Sequence, residues 1–495
     1  MSSGIFRTKS IEQTLRDTEE PEHRLKKNLG AMDLIVFGVG VCIGAGIFVL
    51  TGHAAATNAG PAIALSFLIA GIGCGLAALC YAEMASTVPA AGSAYTYTYA
   101  TMGELLAWII GWDLILEFTV GAAALATSFS QYLGIVLSGT PFAIPPAIAT
   151  AEGGYINLPA GLLVIGLGIV LVSGVKLSSR INQAVTGLKV LVVLTVIIVG
   201  AFFINLANWN PFIPPAQAAP ASSGGALHLP LIQVLSGVEP SVFGIGGVFA
   251  AAATVFFAFL GFDVVATTAE ETRNPQRNLP IGIFGSLAVV TALYIAVSLV
   301  ITGMENYKGI DPNDGAPLAT AFVKVGLPIM ANLIAIGACI GLVVVCMILY
   351  LGQTRVGFAM ARDHLLPASL AKTHPRFGTP YRFTVLSGIP IALLAAFIPL
   401  STLAELVNIG TLAAFILVSI GVVILRRSRP DLKRSFRVPW VPVVPFASVL
   451  VCFYLMLNLS VETWIRFVIW LVLGVIIYFA YSRKHSRLNT VEQPK

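Results

Sequence analysis

Four ionisable residues lie within or directly beside strongly apolar stretches of this sequence, and they are the first candidates for chemistry. Lys189 lies in AVTGLKVLVV, Asp113 and Glu117 lie in GWDLILEF, and Asp263 follows FFAFLG. A charge at mid-bilayer costs about 2.5–3.5 kcal/mol, so such residues face the bundle interior and often mark an ion or substrate pathway. Asp113 and Glu117, four residues apart, share one helix face. The pattern therefore marks these four residues as candidates for an ion or substrate pathway.

A structural role is an open alternative for each of these residues. Lys189 could extend to a helix end, although it lies about eight residues into its apolar stretch. Asp113 and Glu117 could form a hydrogen-bonded pair, and Asp263 could hold unwound backbone. Other acids lie near the ends of apolar stretches and are expected to anchor loops or form ion pairs at a gate: Glu83, Glu104, Glu270 and Glu271.

Glycines interrupt the first apolar stretch at VCIGAGIFVL, residues 41–50. A helix broken in hydrocarbon exposes main-chain groups at several kcal/mol each, so a break near Gly44 and Gly46 needs a partner that binds them. The free N–H groups suit a carboxylate, and the free carbonyls suit an ammonium group. The pattern therefore favours an α-amino acid as ligand. A Gly-xxx-Gly packing face is the alternative, and a dinucleotide fingerprint is disfavoured because it needs a soluble βαβ unit.

A second interruption, FFAFLGFD at 256–263, follows the first after about five apolar stretches. An odd number of spans per repeat turns the second copy upside down in the bilayer. Paired, glycine-broken segments in two halves are typical of transporters built from inverted repeats, in which the breaks form the binding site.

The composition indicates a membrane protein. Of 495 residues, 57% are hydrophobic and 11% are charged, whereas soluble domains carry about 25% charged residues. A membrane helix needs about 20 apolar residues, and twelve windows fit: 31–56, 61–87, 101–136, 157–174, 182–205, 247–268, 279–303, 327–352, 383–400, 404–425, 440–458 and 463–481. We number them spans 1 to 12 and expect an all-α fold.

Basic residues predict the orientation of the chain. If residue 1 is cytoplasmic, the inner segments hold 25 Lys and Arg residues and the outer loops hold 3. This asymmetry places both termini in the cytoplasm. The net charge of +6 is spread over separate loops on one side, so nucleic-acid binding is disfavoured.

The predicted organisation has a five-plus-five core. We expect a cytoplasmic tail (1–30), a first five-helix repeat (31–205), an extracellular loop (206–246), a second inverted repeat (247–425), a basic cytoplasmic loop (426–439), two accessory helices (440–481) and a cytoplasmic tail (482–495). The extracellular loop, rich in Pro, Ala and Ser, is expected to be extended or irregular.

The sequence predicts no metal and no cofactor. All six cysteines lie inside spans, and no CxxC or Cys/His spacing occurs. HExxH and GxSxG are absent, which argues against an enzyme. A channel is also disfavoured, because no ring of acids or repeated filter motif occurs.

Longer motifs resemble the amino acid-polyamine-organocation transporters, specifically their cationic amino acid transporter branch. The matching stretches run through the whole chain: LKKNLGAMDL at 25–34, GAGIFVLTG, CYAEMASTVPAAGSAYTYTYATMGE at 80–104, GWDLILEF, FFAFLGFDVVATTAEETRNPQRNLPIGI at 256–283, GQTRVGFAMARDHLLP at 352–367 and FRVPWVPVVP at 436–445.

The resemblance implies a leucine-transporter-type core with substrate held at the broken spans 1 and 6. It implies that the first break receives the substrate α-carboxylate, through Ile43, Gly44, Ala45 and Gly46. It implies that the second break takes the amino end, through Phe257, Ala258 and Leu260. Phe257 also matches the position of an aromatic outer gate.

The resemblance also implies how transport is coupled. Lys189 matches a span-5 lysine that takes the place of a sodium ion in proton-coupled members, which implies sodium independence. Glu117 matches a position that could face the substrate side chain, and Asp113, one turn away, could serve proton movement. With Lys189 and Asp113, Asp263 is the third residue that we expect to take part in proton coupling. Span 8 is very apolar near its centre, which departs from what a long cationic side chain would need.

We therefore expect a secondary active transporter that imports L-amino acids, cationic and/or small neutral, across the plasma membrane by alternating access with protons. The alternative is an amino acid exchanger without net proton coupling. The expected partners are the amino acid, protons and the lipid bilayer, and a small membrane-protein partner is left open.

Overall fold

The computed structural model describes residues 7, 29–87, 93–151, 154–174, 179–218, 225–237, 241–268, 272–432 and 434–487. Glu270, Glu271, most of the predicted N-terminal tail and residues 488–495 of the C-terminal tail lie outside the described residues.

The described chain is mostly helical. Its α-helices are α1 Ala31–Cys42, α2 Thr51–Ala54, α3 Ile63–Thr87, α4 Ser93–Thr101, α5 Glu104–Leu137, α6 Pro146–Ala149, α7 Leu158–Val172, α8 Ser179–Gly200, α9 Leu231–Ser236, α10 Gly244–Val255, α11 Val264–Thr267, α12 Pro275–Met304, α13 Pro317–Lys324, α14 Pro328–Arg362, α15 Tyr381–Phe397, α16 Leu400–Ser428, α17 Val443–Leu457, α18 Val461–Ile477 and α19 Arg483–His485. Turns of π-helix cover Gly46–Leu50, Ala55–Ala59 and Tyr478–Ser482.

Within the described ranges, eight helical stretches are long and apolar enough to cross a membrane: Gly46–Thr87, Glu104–Leu137, Ile181–Phe203, Gly244–Ala266, Pro275–Met304, Pro328–Arg362, Leu400–Ser428 and Val461–His485. The first is interrupted at Gly60, whose φ of 57° is not helical. Four shorter apolar helices, α1, α7, α15 and α17, coincide with parts of spans 1, 4, 9 and 11. The molecule is thus a multi-pass membrane protein, and the arrangement as twelve crossings stays a prediction.

Helices from the two predicted halves pack against each other in matching pairs. Helix α3 packs against α12, α5 against α14, and α7 against α15. These are spans 2 and 7, 3 and 8, and 4 and 9, each five positions apart. Such pairing agrees with two related halves, and the predicted repeat boundaries themselves remain untested.

Both glycine-marked interruptions are present. Helix α1 ends at Cys42, and Ile43 is extended, with φ −70° and ψ 93°. Helix α10 ends at Val255 and is followed by a 3₁₀ turn, Phe256–Phe259. Gly261 then adopts a φ of 116°, which side chains with a Cβ rarely tolerate. The chain is therefore non-helical at mid-span in both halves.

The described parts of the long loop after α8 contain short regular elements, whereas an extended or irregular segment was expected. It contains 3₁₀ turns at Leu206–Trp209 and Gly225–His228 and the short helix α9. Strands β1 (Gln217–Ala218) and β2 (Ser241–Val242) pair antiparallel, with Gln217 opposite Val242.

The basic loop after α16 is organised around a buried acid at the end of α3. Arg426 donates Nε and Nη2 to the Glu83 carboxylate at 2.9 and 2.5 Å. The Val438 N–H donates to Glu83 at 2.7 Å, and Arg434 Nε lies 3.5 Å from it. Glu83 is 1% exposed. This network, the Glu83 clasp, joins α3 to α16 and confirms that Glu83 anchors a loop.

Glu104, at the start of α5, forms hydrogen bonds with residues from both ends of the described chain. Its carboxylate accepts hydrogen bonds from Tyr478 at 3.0 Å, Ser486 at 2.5 Å and Tyr99 at 3.2 Å. Its N–H donates to the Arg7 carbonyl at 2.9 Å. Residues 7 and 486 thus meet at one end of the helix bundle. We call the end that carries Glu104 and the Glu83 clasp the basic face.

Candidate functional site

The first break leaves amide donors free. Among the described residues, the N–H groups of Gly44 and Ala45 have no hydrogen-bond acceptor. The helix resumes where the Phe48 N–H donates to the Gly44 carbonyl at 3.3 Å. The start of a helix carries partial positive charge and unsatisfied donors, so this position can accept a carboxylate.

Lys189 donates hydrogen bonds to the carbonyl groups on the other side of the break. Its Nζ donates to the Gly40 carbonyl and, at 3.2 Å, to the Ile43 carbonyl. The side chain is 1% exposed. An added Cβ at Gly341 would lie 2.5 Å from Lys189 Cδ. Because any larger residue would clash there, glycine is what lets α14 pack against the aliphatic part of the Lys189 side chain. The protein thus supplies its own ammonium group to the carbonyls that end α1.

Tyr294 on α12 connects the two breaks. Its hydroxyl lies 2.7 Å from the Cys42 carbonyl and 2.8 Å from the Ala258 carbonyl. The hydroxyl carries one hydrogen, so it donates to one carbonyl at a time. Its ring packs against Phe67 and Phe259, with centroids 5.5 and 5.4 Å apart. Sequence reasoning missed Tyr294. A lone tyrosine in an apolar span, whose hydroxyl needs a buried partner, was the available signal.

Replacing Tyr294 with phenylalanine should weaken the link between the breaks and leave the aromatic packing intact. A lost buried hydrogen bond costs about 1–3 kcal/mol, so we expect a lower unfolding temperature and slower transport, measured by scanning fluorimetry and proteoliposome uptake. Tyr350→Phe is the control, because Tyr350 also donates to a carbonyl, that of Thr384, at 2.7 Å. Equal transport rates in the two variants would contradict a specific role for Tyr294.

The two broken segments pack directly against each other, with no room for a side chain at two glycines. A Cβ added to Gly46 would lie 2.2 Å from Ala258 Cα, and one added to Gly261 would lie 2.4 Å from Val41 Cγ1. Each contact has glycine on one side, which lets the two segments approach closely. Predicted site residues from spans 1 and 6 therefore come together.

The carbonyls predicted to hold a substrate amino group are partly engaged. The Phe257 carbonyl accepts the Leu260 N–H at 3.1 Å, and the Ala258 carbonyl accepts the Tyr294 hydroxyl. Carbonyl oxygens have two lone pairs, so each retains capacity for one more donor. Phe257 and Leu260 are 4% and 7% exposed, so the site is closed to solvent in this structure.

Apolar side chains surround the breaks on the side of α5 and α14. A Cβ added to Gly44 would lie 3.1 Å from Leu125 and 3.9 Å from Val345. One added to Gly121 would lie 3.0 Å from Leu349 and 3.3 Å from Leu260. Aliphatic side chains therefore border Gly44 in the first break and Leu260 in the second.

The three predicted acids are buried, and Glu117 is within electrostatic range of the other two. Asp263 Oδ1 accepts the Gly261 N–H at 3.3 Å. Glu117 interacts electrostatically with Asp263 and Asp113. Asp113 Oδ1 and Glu117 Oε1 are buried without a described hydrogen-bond partner. The predicted role of Glu117 towards a substrate side chain stays a prediction.

Asn408 on α16 stabilises the end of α10, which sequence reasoning also missed. Its Nδ2 donates to the Ala253 carbonyl at 2.8 Å and to the Thr254 carbonyl at 3.0 Å. Both carbonyls precede the break and lose their helical partners there. The sequence did contain a signal for Asn408, because an amide side chain in an apolar span needs a buried hydrogen-bond partner.

No group of three or more His, Cys, Asp and Glu side chains that could hold a metal ion occurs among the described residues.

Comparison with known proteins gives matches over nearly the whole chain. Residues 29–480 match the family model described as amino acid permease. The chain is 46% identical to the methylthioribose transporter of Bacillus subtilis over 491 residues, covering 98% of this chain and all of that protein. It is 45% identical to the branched-chain amino acid permease BcaP of the same organism over 498 residues, covering 99% of this chain and all of that one.

A plant protein is more distantly similar. The vacuolar cationic amino acid transporter 4 of Arabidopsis thaliana is 30% identical over 604 aligned residues, covering 98% of this chain and 97% of that protein. Relatives with transporter names cover the whole chain, which points to a transporter rather than an enzyme. The broken helices and these full-length matches lead to one conclusion: the chain belongs to the amino acid permease family, within the amino acid-polyamine-organocation superfamily.

Proposed function

We propose that the protein imports L-amino acids across the cell membrane together with protons and independently of sodium, by alternating access. The observation that carries this proposal is the first break, where free amides and a buried lysine lie on opposite sides of one interruption. The basic face is then cytoplasmic, as the positive-inside rule predicts.

The substrate α-carboxylate would bind the N–H groups of Gly44, Ala45 and Gly46. The ammonium group would use remaining lone pairs at the second break, among the carbonyls of Phe257, Ala258 and Leu260. Phe257 would cover the substrate. Binding at both breaks joins the two segments through one small molecule, which gives the substrate a direct influence on their positions.

The aliphatic border favours neutral amino acids with aliphatic side chains. Leu125, Val345, Leu260 and Leu349 offer no hydrogen bond to a guanidinium or ammonium group, and burial of an unpaired charge is costly. The 45% identical relative is a branched-chain amino acid permease, which supports the same choice. A cationic substrate, paired with Glu117, is the second candidate because of the plant relatives. Competition by each of the twenty amino acids against a labelled aliphatic substrate decides between them.

Lys189 explains sodium independence in this proposal. Carbonyl oxygens at a helix break are typical ligands for a transported cation, and here the lysine ammonium occupies those of Gly40 and Ile43. Loss of its proton would remove the charge and weaken both bonds. The end of α1 would then be released, which couples a proton to movement of the first break.

Lys189→Gln tests this role in proteoliposomes with an imposed pH gradient. Removing charged hydrogen bonds costs about 1.5–3 kcal/mol, equivalent to about tenfold or more, so we expect gradient-driven accumulation to fall by that factor. Counterflow with equal pH on both sides should survive. Lys324→Gln is the control, since Lys324 is an exposed residue paired with Glu305. Full gradient-driven accumulation by Lys189→Gln would reject the role.

An exchanger without net proton coupling is the alternative mechanism. Vesicles loaded with amino acid and vesicles without it separate the two, because an exchanger takes up no label without internal substrate. Uptake by empty vesicles under a pH gradient, with sodium absent, supports the proposal.

A further inference from the structure

We propose that the loop between α14 and α15 binds the headgroup of an anionic phospholipid, through the guanidinium groups of Arg376 and Arg382. The acyl chains of that lipid then lie along the exposed faces of α7 and α15. We call residues 372–382 the arginine loop. The inference goes beyond the proposed function, because it assigns a different ligand to a surface other than the two breaks.

The arginine loop lies at the basic face, where α7 ends and α15 begins. The chain that leads into it is held by Ser482, whose hydroxyl donates to the Leu365 carbonyl at 2.7 Å. Ser482 belongs to the C-terminal segment that also binds Glu104. At the other end of the loop, the Thr379 hydroxyl donates to the Val172 carbonyl at 2.8 Å. The loop is therefore fixed to the ends of two membrane helices.

His374 organises the turn that carries Arg376. The backbone N–H groups of Arg376 and Phe377 donate to His374 Nδ1 at 3.2 and 3.4 Å. The His374 N–H donates to the Thr379 carbonyl, and the His374 carbonyl accepts the Gly378 N–H, both at 2.8 Å. These four hydrogen bonds close a compact turn from residue 374 to residue 379, with Arg376 inside it.

A series of ring contacts joins the two arginines. The guanidinium carbon of Arg376 lies 5.4 Å from the centre of the Phe377 ring, and that of Arg382 lies 5.7 Å from the centre of the Tyr381 ring. The His374 ring connects them, with its centre 4.8 Å from that of Phe377 and 5.4 Å from that of Tyr381. Arg382 Nε also donates to the Tyr381 hydroxyl at 3.0 Å. Guanidinium groups held over rings lose less freedom when they bind an anion.

The positive charge of the loop has no counter-charge in the elements beside it. The sequence contains no Asp or Glu between residues 364 and 404 or between residues 153 and 238, which together cover the arginine loop, α7, α8 and α15. Among the described residues, neither Arg376 nor Arg382 forms an ion pair. Lys372 adds a third cation to the loop. An anion from outside the chain therefore complements this surface.

The faces of α7 and α15 that continue from the loop are apolar. The two helices pack side by side. They are joined at the loop end by Thr379 and Val172, and at the far end by the Asn157 N–H, which donates to the Ala396 carbonyl at 2.8 Å. Their side chains that are at least 54% exposed include Leu162, Ile165, Ile169, Val385, Leu386, Ile389 and Leu393. In a bilayer, acyl chains cover such a surface.

The cations lie at the level where phosphate meets hydrocarbon. Arg382 is the second residue of α15, and the exposed Val385 follows about 4.5 Å further along the helix axis. A guanidinium binds phosphate oxygens through parallel N–H groups, and an anionic membrane surface attracts basic residues near it. A phospholipid carries the phosphate and the acyl chains in one molecule, so it fits both parts of the surface.

Lipid titration of the purified, delipidated full-length chain tests the site. Dioleoylphosphatidylglycerol is added in detergent, and native mass spectrometry counts the bound molecules. A basic residue near an anionic lipid surface contributes about fivefold in affinity. We therefore expect Arg376→Gln and Arg382→Gln each to weaken binding about fivefold, and the double variant to weaken it by more than tenfold.

Arg429→Gln is the matched control. It removes one positive charge from the basic face, but Arg429 already has a carboxylate partner, Asp431, at 3.3 Å. Binding should therefore stay within about twofold of the wild type. If Arg429→Gln weakens binding as much as the loop variants do, the lipid is attracted by the whole face, and the proposed site is wrong. Because Arg376 and Arg382 are exposed, the unfolding temperature without lipid should be the same in all variants.

Two further probes distinguish the lipid from other anions. Dioleoylphosphatidylcholine, which has no net charge, should bind at least about fivefold more weakly than the anionic lipid. Inorganic phosphate at the same concentration should leave the anionic lipid bound. Equal affinity for both lipids would overturn the role of the arginines. Displacement by inorganic phosphate would assign the loop to a free anion and would equally overturn the proposal.

A tryptophan in place of Val385 reports where the acyl chains lie. In nanodiscs, brominated phosphatidylglycerol should quench the added fluorescence more strongly than brominated phosphatidylcholine, and Arg382→Gln in the same chain should remove this difference. Leu333→Trp is the control, since Leu333 is 56% exposed near the start of α14, and both lipids should quench it equally. Equal quenching at residue 385 would contradict the site. Neither measurement depends on transport, so failure of the proposed function would leave both results unchanged.

Discussion

Gly46→Ala is expected to abolish transport. The added methyl group would lie 2.2 Å from Ala258 Cα, 2.4 Å from its Cβ and 2.7 Å from its N. Two of those atoms are backbone, so no side-chain rotation can relieve the clash, and the outer part of span 1 must move away from the second break. Overpacking of this kind typically costs 1–3 kcal/mol, occasionally more. Uptake of a labelled amino acid should fall to background.

Gly134→Ala is the matched control. Gly134 also lies in a membrane helix, α5, and nothing lies within 4 Å of an added Cβ. Alanine has the higher helix propensity, so stability should stay the same or rise by about 1 kcal/mol or less. Scanning fluorimetry and uptake should separate the two variants. Normal transport by Gly46→Ala would mean that the breaks do not touch during the cycle.

Arg426→Ala is expected to cause the largest loss of stability. It removes the guanidinium group that donates two hydrogen bonds to the Glu83 carboxylate. Glu83 is only 1% exposed, so its carboxylate would stay buried without that partner. Breaking a buried ion pair by removing one partner costs about 3–5 kcal/mol. The Val438 N–H and Arg434 remain near Glu83 and should offset part of that cost. Thermal unfolding in detergent measures the effect.

Arg466→Ala serves as the comparison. Arg466 and Glu462 are an ion pair one helical turn apart, with side chains 38% and 32% exposed. Such surface pairs contribute about 0–1 kcal/mol, so the unfolding temperature should barely change. If both arginine variants unfold at the same temperature, the Glu83 clasp contributes no more than a surface pair.

The helix breaks could be read from the sequence because glycine is rarely placed in the middle of an apolar span without a reason. GVGVCIGAGIF and FFAFLGFD coincide with the interruptions at Ile43 and Leu260–Gly261. Lys189 was also found this way, since a charge in a span must be buried against a partner. Local composition was sufficient for each of these features.

Contacts between distant segments could not be predicted. Tyr294 meets Cys42 across 252 residues, and Arg426 meets Glu83 across 343. No local pattern encodes which helix faces which. The same limitation applies to the surroundings of Glu117. The spacing from Asp113 predicts which helix face Glu117 occupies, but its electrostatic interaction with Asp263 depends on how α5 packs against the second break.

The C-terminal segment after α18 also has a practical consequence. Tyr478 and Ser486 both donate side-chain hydrogen bonds to the buried carboxylate of Glu104. Trimming the protein after Ile477 to aid crystallisation would therefore remove both of these donors from a buried charge. Affinity tags and fluorescent fusions are best attached beyond residue 487, where they leave this contact in place.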